Sequence, residues 1–183
     1  MNIKFIKLDT VCSTITDGSH YSPKSVDIGY PMLSVKDMRD YGFDYSNCNH
    51  ISEVDFEIMK KNGCVPLLND VLIAKDGSYL KEIFVVTEYR EQAILSSIGI
   101  LRPKIDLVNP YFLKYYLSTE YVKRQVGRKY VSGSALPRII LKNFKDIDIP
   151  NVSLVRQNSI VNSLKLIDDK IIINKHINDN LYY

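Results

Sequence analysis

The chain has 183 residues and a net charge of only +3; 45% of its residues are hydrophobic, including 13 Tyr and 6 Phe, enough to build a core. No apolar run approaches the ~20 residues that a membrane-spanning helix needs, and Lys and Asp interrupt the first ten residues, which argues against a signal peptide. We therefore expect a cytoplasmic protein without membrane contact, consisting of one domain and an appendage.

The charges are distributed unevenly. Residues 122–145 carry seven basic side chains and no acidic one, whereas residues 1–121 carry 13 basic and 16 acidic side chains. A concentrated basic segment in a nearly neutral protein is typical of a nucleic-acid contact, although a solvated charged face would give the same pattern.

The first part of the chain is predicted to form short elements separated by turns. Residues 2–15 suggest a strand or a short helix, and Asp-Gly and Ser-Pro within 16–23 predict a turn. A short strand is expected at 32–35. Ser52, followed by acidic residues, predicts the start of a helix.

The middle part is predicted to be richer in strands. Val71–Ala74 is an apolar run ended by the Asp76-Gly77 turn, and further strands are expected at 84–87 and within 93–101. Asn109-Pro110 predicts the start of a helix, because Pro favours the first helical turn. Together these elements predict the α+β class: a β-rich globular domain at 1–150, followed by a long C-terminal α-helix at 151–183.

The C-terminal segment predicts one amphipathic helix of about 29 residues, roughly 43 Å long. Leu166, Ile173 and Ile177 form a second stripe beside its main seam. The domain cannot cover so broad an apolar face, so part of it is expected to pair with another helix; the alternative is a helix folded back on its own domain. The seam predicted for dimerisation consists of Ile160, Leu164, Ile167, Ile171, Asn174 and Leu181.

Catalytic patterns are weak throughout the sequence. Asn109-Pro110-Tyr111-Phe112 lacks the second Pro of the methyltransferase motif that it faintly resembles. The segment from Asp70 to Lys75 lacks the carboxylate that metal-dependent nucleases place two residues before the Lys, since Ile73 stands there. No phosphate-binding loop occurs. We expect a protein without catalytic activity.

Cysteine and histidine spacing points to neither a metal nor a cofactor. Cys12, Cys48 and Cys64 are far apart and odd in number, which argues against a disulfide framework or a zinc site. The three histidines show no metal-binding spacing. No cofactor and no metal are expected, and the thiols are interpreted as structural.

Basic, hydroxyl and aromatic side chains in three loops are the candidates for DNA contact. Lys and Arg neutralise phosphates, Ser and Tyr hydroxyls donate to phosphate oxygens, and directional groups read base edges. Any one of them could equally belong to a plain surface loop. The predicted DNA-binding residues are Ser19, His20, Tyr21, Lys75, Ser78, Tyr79, Lys81, Arg128, Lys129, Tyr130, Ser132, Ser134 and Arg138.

The order of motifs resembles the specificity subunits of type I restriction–modification systems. The resemblance covers nearly the whole chain and rests on six motifs. The first five are Asp-Gly-Ser-His-x-x-Pro at 17–23, Gly-x-Pro at 29–31, an Asp-Val-Leu-Ile strand at 70–77, Asn-Pro-x-Phe-Leu-x-Tyr-x-Leu at 109–117 and Gly-Ser-x-x-Pro-x-Ile at 133–139. The sixth is a final series of Ile149, Pro150, Gln157, Ile160, Leu164, Ile167, Asp168, Lys170 and Ile171.

This resemblance implies a target recognition domain followed by a helix that joins the subunit to its partners. The family's usual subunit carries two such units in tandem, binds two DNA methyltransferase (M) subunits and is later joined by the restriction (R) subunits. One unit is present here, which implies either a half-subunit that homodimerises through the helix or a fragment of a longer subunit.

Three functions therefore compete at this point. The first is recognition of a bipartite sequence in double-stranded DNA by a non-catalytic subunit, in a type I system or a related type II system. The second is a scaffold for methyltransferase subunits that no longer reads DNA. The third is a fragment of an enzyme, which binding of S-adenosylmethionine or metal-dependent cleavage by the isolated chain would reveal.

Overall fold

The computed structural model describes residues 3–76, 80–129, 131–132 and 138–181, with side chains for all of these except residues 128, 129, 131, 132, 138, 176 and 179–181. No helix among the described residues is both long enough and apolar enough to cross a membrane.

Short strands, six α-helices and one 3-10 helix (Val35–Asp37) are the regular elements of the described part of the chain, in agreement with the predicted α+β class. The helices are α1 (Leu8–Val11), α2 (Glu53–Lys61), α3 (Pro110–Leu117), α4 (Glu120–Lys129), α5 (Leu141–Lys145) and α6 (Leu154–Leu181). The strands are β1 (Phe5–Lys7), β2 (Cys12–Asp17), β3 (Tyr30–Leu33), β4 (Met38–Arg39), β5 (Gly42–Phe43), β6 (Asn49–Ile51), β7 (Val71–Ala74), β8 (Ile83–Val85), β9 (Ala93–Ile94), β10 (Ile98–Pro103), β11 (Val131–Ser132), β12 (Arg138–Ile139) and β13 (Asp148–Pro150).

A four-stranded antiparallel sheet in the order β2-β10-β7-β8 forms the centre of the domain. All four residues of β7 are buried, because both faces of this sheet are covered. Val71 and Ile73 face the core formed with the helices, whereas Leu72 and Ala74 face the opposite core. This alternation is the period of two that a strand imposes on its side chains.

The helical side of the sheet carries α3, α4, α5 and the first turns of α6. Phe112 and Leu113 of α3 and Val161 of α6 belong to this core. On the other side of the sheet, Leu33 of β3 and Met38 of β4 belong to the same core as Leu72. The smaller sheet β6-β3-β9 covers a third core, to which α2 contributes Phe56 and Met59.

Both predicted helix starts are confirmed at the level of single hydrogen bonds. The Ser52 hydroxyl accepts the backbone N–H of Asp55 at 3.2 Å at the start of α2. The Asn109 side chain accepts the N–H of Tyr111 at 2.8 Å at the start of α3, where Pro110 occupies the first helical position.

The segment predicted as a strand or a short helix at 2–15 contains both. The single turn α1 separates β1 from β2, and β1 pairs with β13 in antiparallel fashion. This pairing brings residues 148–150 back beside the N-terminal segment, directly before α6 begins. The predicted strand at Val71–Ala74 and the long terminal helix are confirmed.

Candidate nucleic-acid interface

The register of the central sheet brings two of the predicted loops to the same end. Gly99 in β10 pairs with Asp17 at the end of β2, and Ile98 pairs with Ala74 at the end of β7. The segments that follow β2 and β7 therefore leave the sheet side by side, next to the start of β10. We call residues 17–21, 75–76, 80–82 and 138–139 the loop cluster.

Lys75 connects the parts of this loop cluster. Its ammonium Nζ lies 3.3 Å from Oδ2 of Asp17 and 3.4 Å from Oδ1 of Asp76. Its backbone carbonyl accepts the N–H of Ile139 in β12 at 3.1 Å. One residue thus joins the end of β2, the turn after β7 and the β12 strand.

A short turn at 95–97, which the sequence analysis did not single out, supports both loops. Ser96 donates its backbone N–H to the carbonyl of Ser19 at 2.9 Å, and the Ser97 carbonyl accepts the N–H of Lys75 at 3.1 Å. The Ser97 hydroxyl accepts the N–H of Val35 at 3.0 Å. The only sequence signal was the pair of Ser residues inside an apolar run, which is too common to be diagnostic.

The turn at 17–21 needs glycine at its second position. A Cβ atom on Gly18 would lie 2.2 Å from the Ile94 carbonyl oxygen and 2.6 Å from that of Leu95, distances that no side chain can occupy. The Ser19 N–H donates to the same Ile94 carbonyl at 2.8 Å. The glycine allows the turn to lie directly on the backbone of β9.

The three candidate residues of this turn differ in what they expose. The Ser19 hydroxyl is engaged within the turn, donating to the Tyr21 carbonyl at 2.6 Å and accepting its N–H at 3.1 Å. The His20 side chain is 75% exposed, with Nε2 3.3 Å from Oδ1 of Asp17, and Tyr21 is also exposed. His20 and Tyr21 are therefore the candidate side chains that this turn exposes to solvent.

The predicted role of Lys75 as a direct DNA ligand does not fit its position. Lys75 is 4% exposed, and Asp17, its partner, is nearly as well buried. A Lys beside an Asp-Gly turn is normally solvated, and the residues next to Lys75 in the sequence do not indicate that it pairs with Asp17. Lys81 does carry an exposed side chain, 3.2 Å from Glu82.

The basic segment reaches the loop cluster through a small hairpin. Residues Ser132 and Arg138 pair in the β11–β12 ladder, and Ile139 is fully buried in the core. Arg128 and Lys129 form the last turn of α4, directly before this hairpin. Four further candidates, Ser78, Tyr79, Tyr130 and Ser134, lie outside the described residues.

The predicted dimerisation seam lies on the outer side of α6. Ile160, Leu164, Ile167, Ile171 and Asn174 are all exposed in the single chain, with Ile167 exposed to 57%. Leu181 is the last residue of α6, and its side chain is among those not described. The exposed Leu166, Ile173 and Ile177 form the second stripe.

Asp70, which had suggested a nuclease, is held in a structural ion pair. The Arg102 guanidinium donates to both of its carboxylate oxygens, at 2.8 and 2.9 Å, and the Leu67 N–H donates to Oδ2 at 2.8 Å. Asp70 is fully buried, so this carboxylate anchors the start of β7. Among the described residues, no three His, Cys, Asp or Glu side chains come together as a candidate metal site.

The cysteines of the chain are free thiols with suppressed reactivity. Burial raises the pKa of Cys12 to about 12, and burial also raises the pKa values of Cys48 and Cys64. Since the thiolate is the nucleophilic form, these residues act as small hydrophobic groups.

Comparison with known proteins assigns the chain to a family. The model of the type I restriction modification DNA specificity domain matches residues 2–183. The chain belongs to this family. No curated protein sequence matches the chain significantly.

Solved structures from type I restriction–modification systems share the fold of this chain. It superposes with a TM-score of 0.66 and 21% identity on a chain from a study of complex assembly and conformational transition of the type I R-M system. It superposes on the HsdS subunit from Thermoanaerobacter tengcongensis with a TM-score of 0.61 and 22% identity. It superposes on the type I S subunit from M. genitalium with a TM-score of 0.60 and 17% identity.

These superpositions cover nearly all of this chain but a minor part of the other chains. They include 94%, 94% and 92% of this chain, and 40%, 39% and 40% of the solved chains, respectively. The chain therefore spans about two fifths of the length of the structures that it matches.

Proposed function

We propose that this chain recognises a DNA sequence for a type I restriction–modification complex and contributes no catalytic group of its own. Residues 1–150 form the recognition domain in this proposal, and residues 151–183 join it to partners. The observation that carries the proposal is the convergence of three predicted DNA-contact segments in one loop cluster, joined by Lys75.

The chemistry of the loop cluster suits a duplex. The exposed His20, Tyr21 and Lys81 offer directional donors and a phosphate-neutralising charge, and the β12 strand that follows the basic Arg128 and Lys129 is hydrogen-bonded to Lys75. A rigid base under these groups limits the entropy that binding costs. Lys75 is assigned to that base and is removed from the set of direct ligands.

The proposed protein partners are methyltransferase subunits, with restriction subunits in the full complex, and a second copy of the chain. The exposed apolar residues of α6 support the pairing of two helices, because an uncovered stripe of Ile and Leu favours association in water. Two recognition domains joined in this way would read two half-sites separated by a spacer.

Methylation by the complete complex tests the proposed function. The chain is purified with the methyltransferase subunit of its own system, and methyl transfer is mapped on a random-sequence duplex library. We expect methylation at one sequence motif. Association with the methyltransferase subunit without any preferred motif would contradict the proposal and favour the scaffold function.

Charge-removal variants test the contribution of the basic segment. Removing two phosphate contacts with Arg128→Gln and Lys129→Gln should weaken duplex binding equally for all sequences. The logarithm of the association constant should then fall less steeply with the logarithm of the salt concentration, by about two in the slope. The matched control is Lys60→Gln with Lys61→Gln on α2, which removes the same charge from the helix packed under the smaller sheet. An equal loss in both variants would argue against a contact by the basic segment.

A further inference from the structure

The side of α6 that faces its own domain is a mixed polar seam. Buried or half-buried positions recur along the helix at spacings of four and three residues. Val161 is the last residue of this seam to enter the apolar core. The seam consists of Gln157, Val161, Lys165, Asp168 and Ile172, and Lys175 extends it.

Asp168 is the centre of this seam. Its Oδ2 accepts a hydrogen bond from the Lys114 ammonium at 2.6 Å and another from the Tyr115 hydroxyl at 2.8 Å, both from α3. The Lys114 side chain is 10% exposed and that of Asp168 is 20% exposed. Burial and the Asp168 carboxylate raise the pKa of Tyr115, so its hydroxyl stays protonated and remains a donor.

Aromatic rings enclose the Lys114 ammonium. It lies 4.7 Å from the ring centroid of Tyr115 and 5.0 Å from that of Tyr41, which follows β4. Farther along α6, Lys175 forms an ion pair with Asp40 and lies 5.5 Å from the Tyr41 ring. The β4–β5 hairpin and α3 thus hold the helix from two directions.

Ion pairs and charge-assisted hydrogen bonds define the direction of α6 more strictly than apolar packing does. A charge-assisted hydrogen bond of 2.6–2.8 Å weakens steeply when its length or angle changes, whereas apolar side chains can slide over one another. Beyond Val161 the attachment of α6 depends mainly on such contacts, and Asp168 receives two of them.

We propose that Asp168 is a positioning residue that sets the direction of α6 relative to the recognition domain and thereby the separation at which two half-sites are read. The proposal rests on the proposed function. Lys114 and Tyr115 are its partners in this role, and none of the three is assigned a contact with DNA.

The dimensions make such control effective. From Asp168 to the end of α6 the helix extends about 20 Å at about 1.5 Å per residue. A change of roughly 10° in the direction of α6 at Asp168 moves the far end of the helix by about 3.4 Å, which is the rise of one base pair in B-DNA. A loosened junction is therefore expected to change the spacer by single base pairs.

The experiment measures methylation by the complete complex on duplexes that carry both half-sites and a spacer varied one base pair at a time. Wild type should favour one spacer length. Asp168→Asn, which removes the ion pair to Lys114, should keep the half-site sequences but shift the optimum by one base pair or extend it to neighbouring lengths. Tyr115→Phe, which removes one hydrogen bond and no charge, should have a smaller effect in the same direction.

Glu57→Gln is the matched control, since it removes the same charge from α2, where the ion pair of Glu57 with Lys60 stays within that helix. It should leave the spacer profile unchanged, and circular dichroism should give equal helix content for all variants. An unchanged profile in both Asp168→Asn and Tyr115→Phe, or wild-type methylation independent of the second half-site, would overturn the inference. Loss of any sequence preference in wild type would instead contradict the proposed function.

Discussion

Lys75 shows how a buried charged side chain can hold a cluster of loops together. Its ammonium is buried between Asp17 and Asp76, and its backbone carbonyl holds β12. Removing one member of a buried pair leaves the other charge poorly compensated, which costs more than the pair itself contributes. The exposed groups around it depend on this ion pair for their arrangement.

Lys75→Met should therefore destabilise the domain by about 3 kcal/mol, because the Asp17 carboxylate, which is 9% exposed, loses its charged partner. Urea unfolding at an unchanged m-value measures this loss. The control is Lys81→Met, which should change stability by less than about 0.5 kcal/mol because its side chain is 70% exposed. Equal stability of the two variants would show that the ion pair has no structural role.

Cys12 makes the stability of the protein decrease as the pH rises through the alkaline range. Burial raises the pKa of its thiol from 9.0 to about 12 in the folded state, whereas the unfolded thiol ionises near pH 9. The contribution of this pKa difference to the free energy of unfolding is complete below pH 9. It is lost as the pH rises toward 12, since in this range only the unfolded state releases the thiol proton. Burial raises the pKa of Tyr116 from 10.0 to about 12, which adds to this loss above pH 10.

The free energy of unfolding should fall by about 1 kcal/mol between pH 9 and pH 10 through Cys12 alone. Denaturant unfolding across this range measures the slope, and Cys12→Ala should make it shallower because the titrating group is absent. Identical slopes for wild type and Cys12→Ala would refute the assignment.

At the scale of elements, Gln157 joins α6 to the segments around it. Its side chain is 2% exposed; Oε1 accepts the N–H of Asn109 at 2.8 Å, and Nε2 donates to the carbonyls of Leu107 at 3.1 Å and Val152 at 2.9 Å. One amide thus satisfies backbone groups at the start of α3 and before α6. This explains why a polar residue occupies an otherwise apolar position of the helix.

Gln157→Ala should cost about 1–3 kcal/mol, because a buried N–H and two carbonyls lose their partner. Asn158→Ala is the control on the same helical turn; it removes one exposed hydrogen bond from Asn109 and should cost less than about 1 kcal/mol. Chemical denaturation compares the two variants. A larger loss for Asn158→Ala would contradict the role given to Gln157.

At the scale of the whole molecule, α6 has two sides with different chemistry. The side toward the domain is attached by Gln157, Lys165, Asp168 and Lys175, and the predicted dimerisation seam is exposed on the outside. The helix is therefore held by its own domain and still presents an apolar surface to a partner. Folding back on the domain and pairing with a second helix are compatible.

Ile167→Asp combined with Ile171→Asp should convert a dimer into a monomer, because buried carboxylates would face each other across the paired helices. Light scattering at micromolar concentration measures the mass, and circular dichroism should give the helix content of wild type because both side chains are exposed in the single chain. Val155→Asp, at an exposed position of α6 outside the seam, should remain dimeric. A wild-type chain that is monomeric under all these conditions would contradict dimerisation.

The sequence by itself determined the local elements of this protein. The caps at Ser52 and Asn109, the apolar strand β7 and the long helix α6 follow from residues that are neighbours along the chain, and the order of motifs indicated the family. Capping and hydrophobic periodicity act over a few residues, so they can be read without knowledge of the fold.

The tertiary structure alone decided which polar groups are exposed and which are buried supports. The burial of Lys75 depends on Asp17, and the direction of α6 depends on contacts of Asp168 with α3, both between residues far apart in the sequence. Local sequence carries no record of such pairings, because the free energy of a charge is set by the dielectric and the partners that the complete fold places around it.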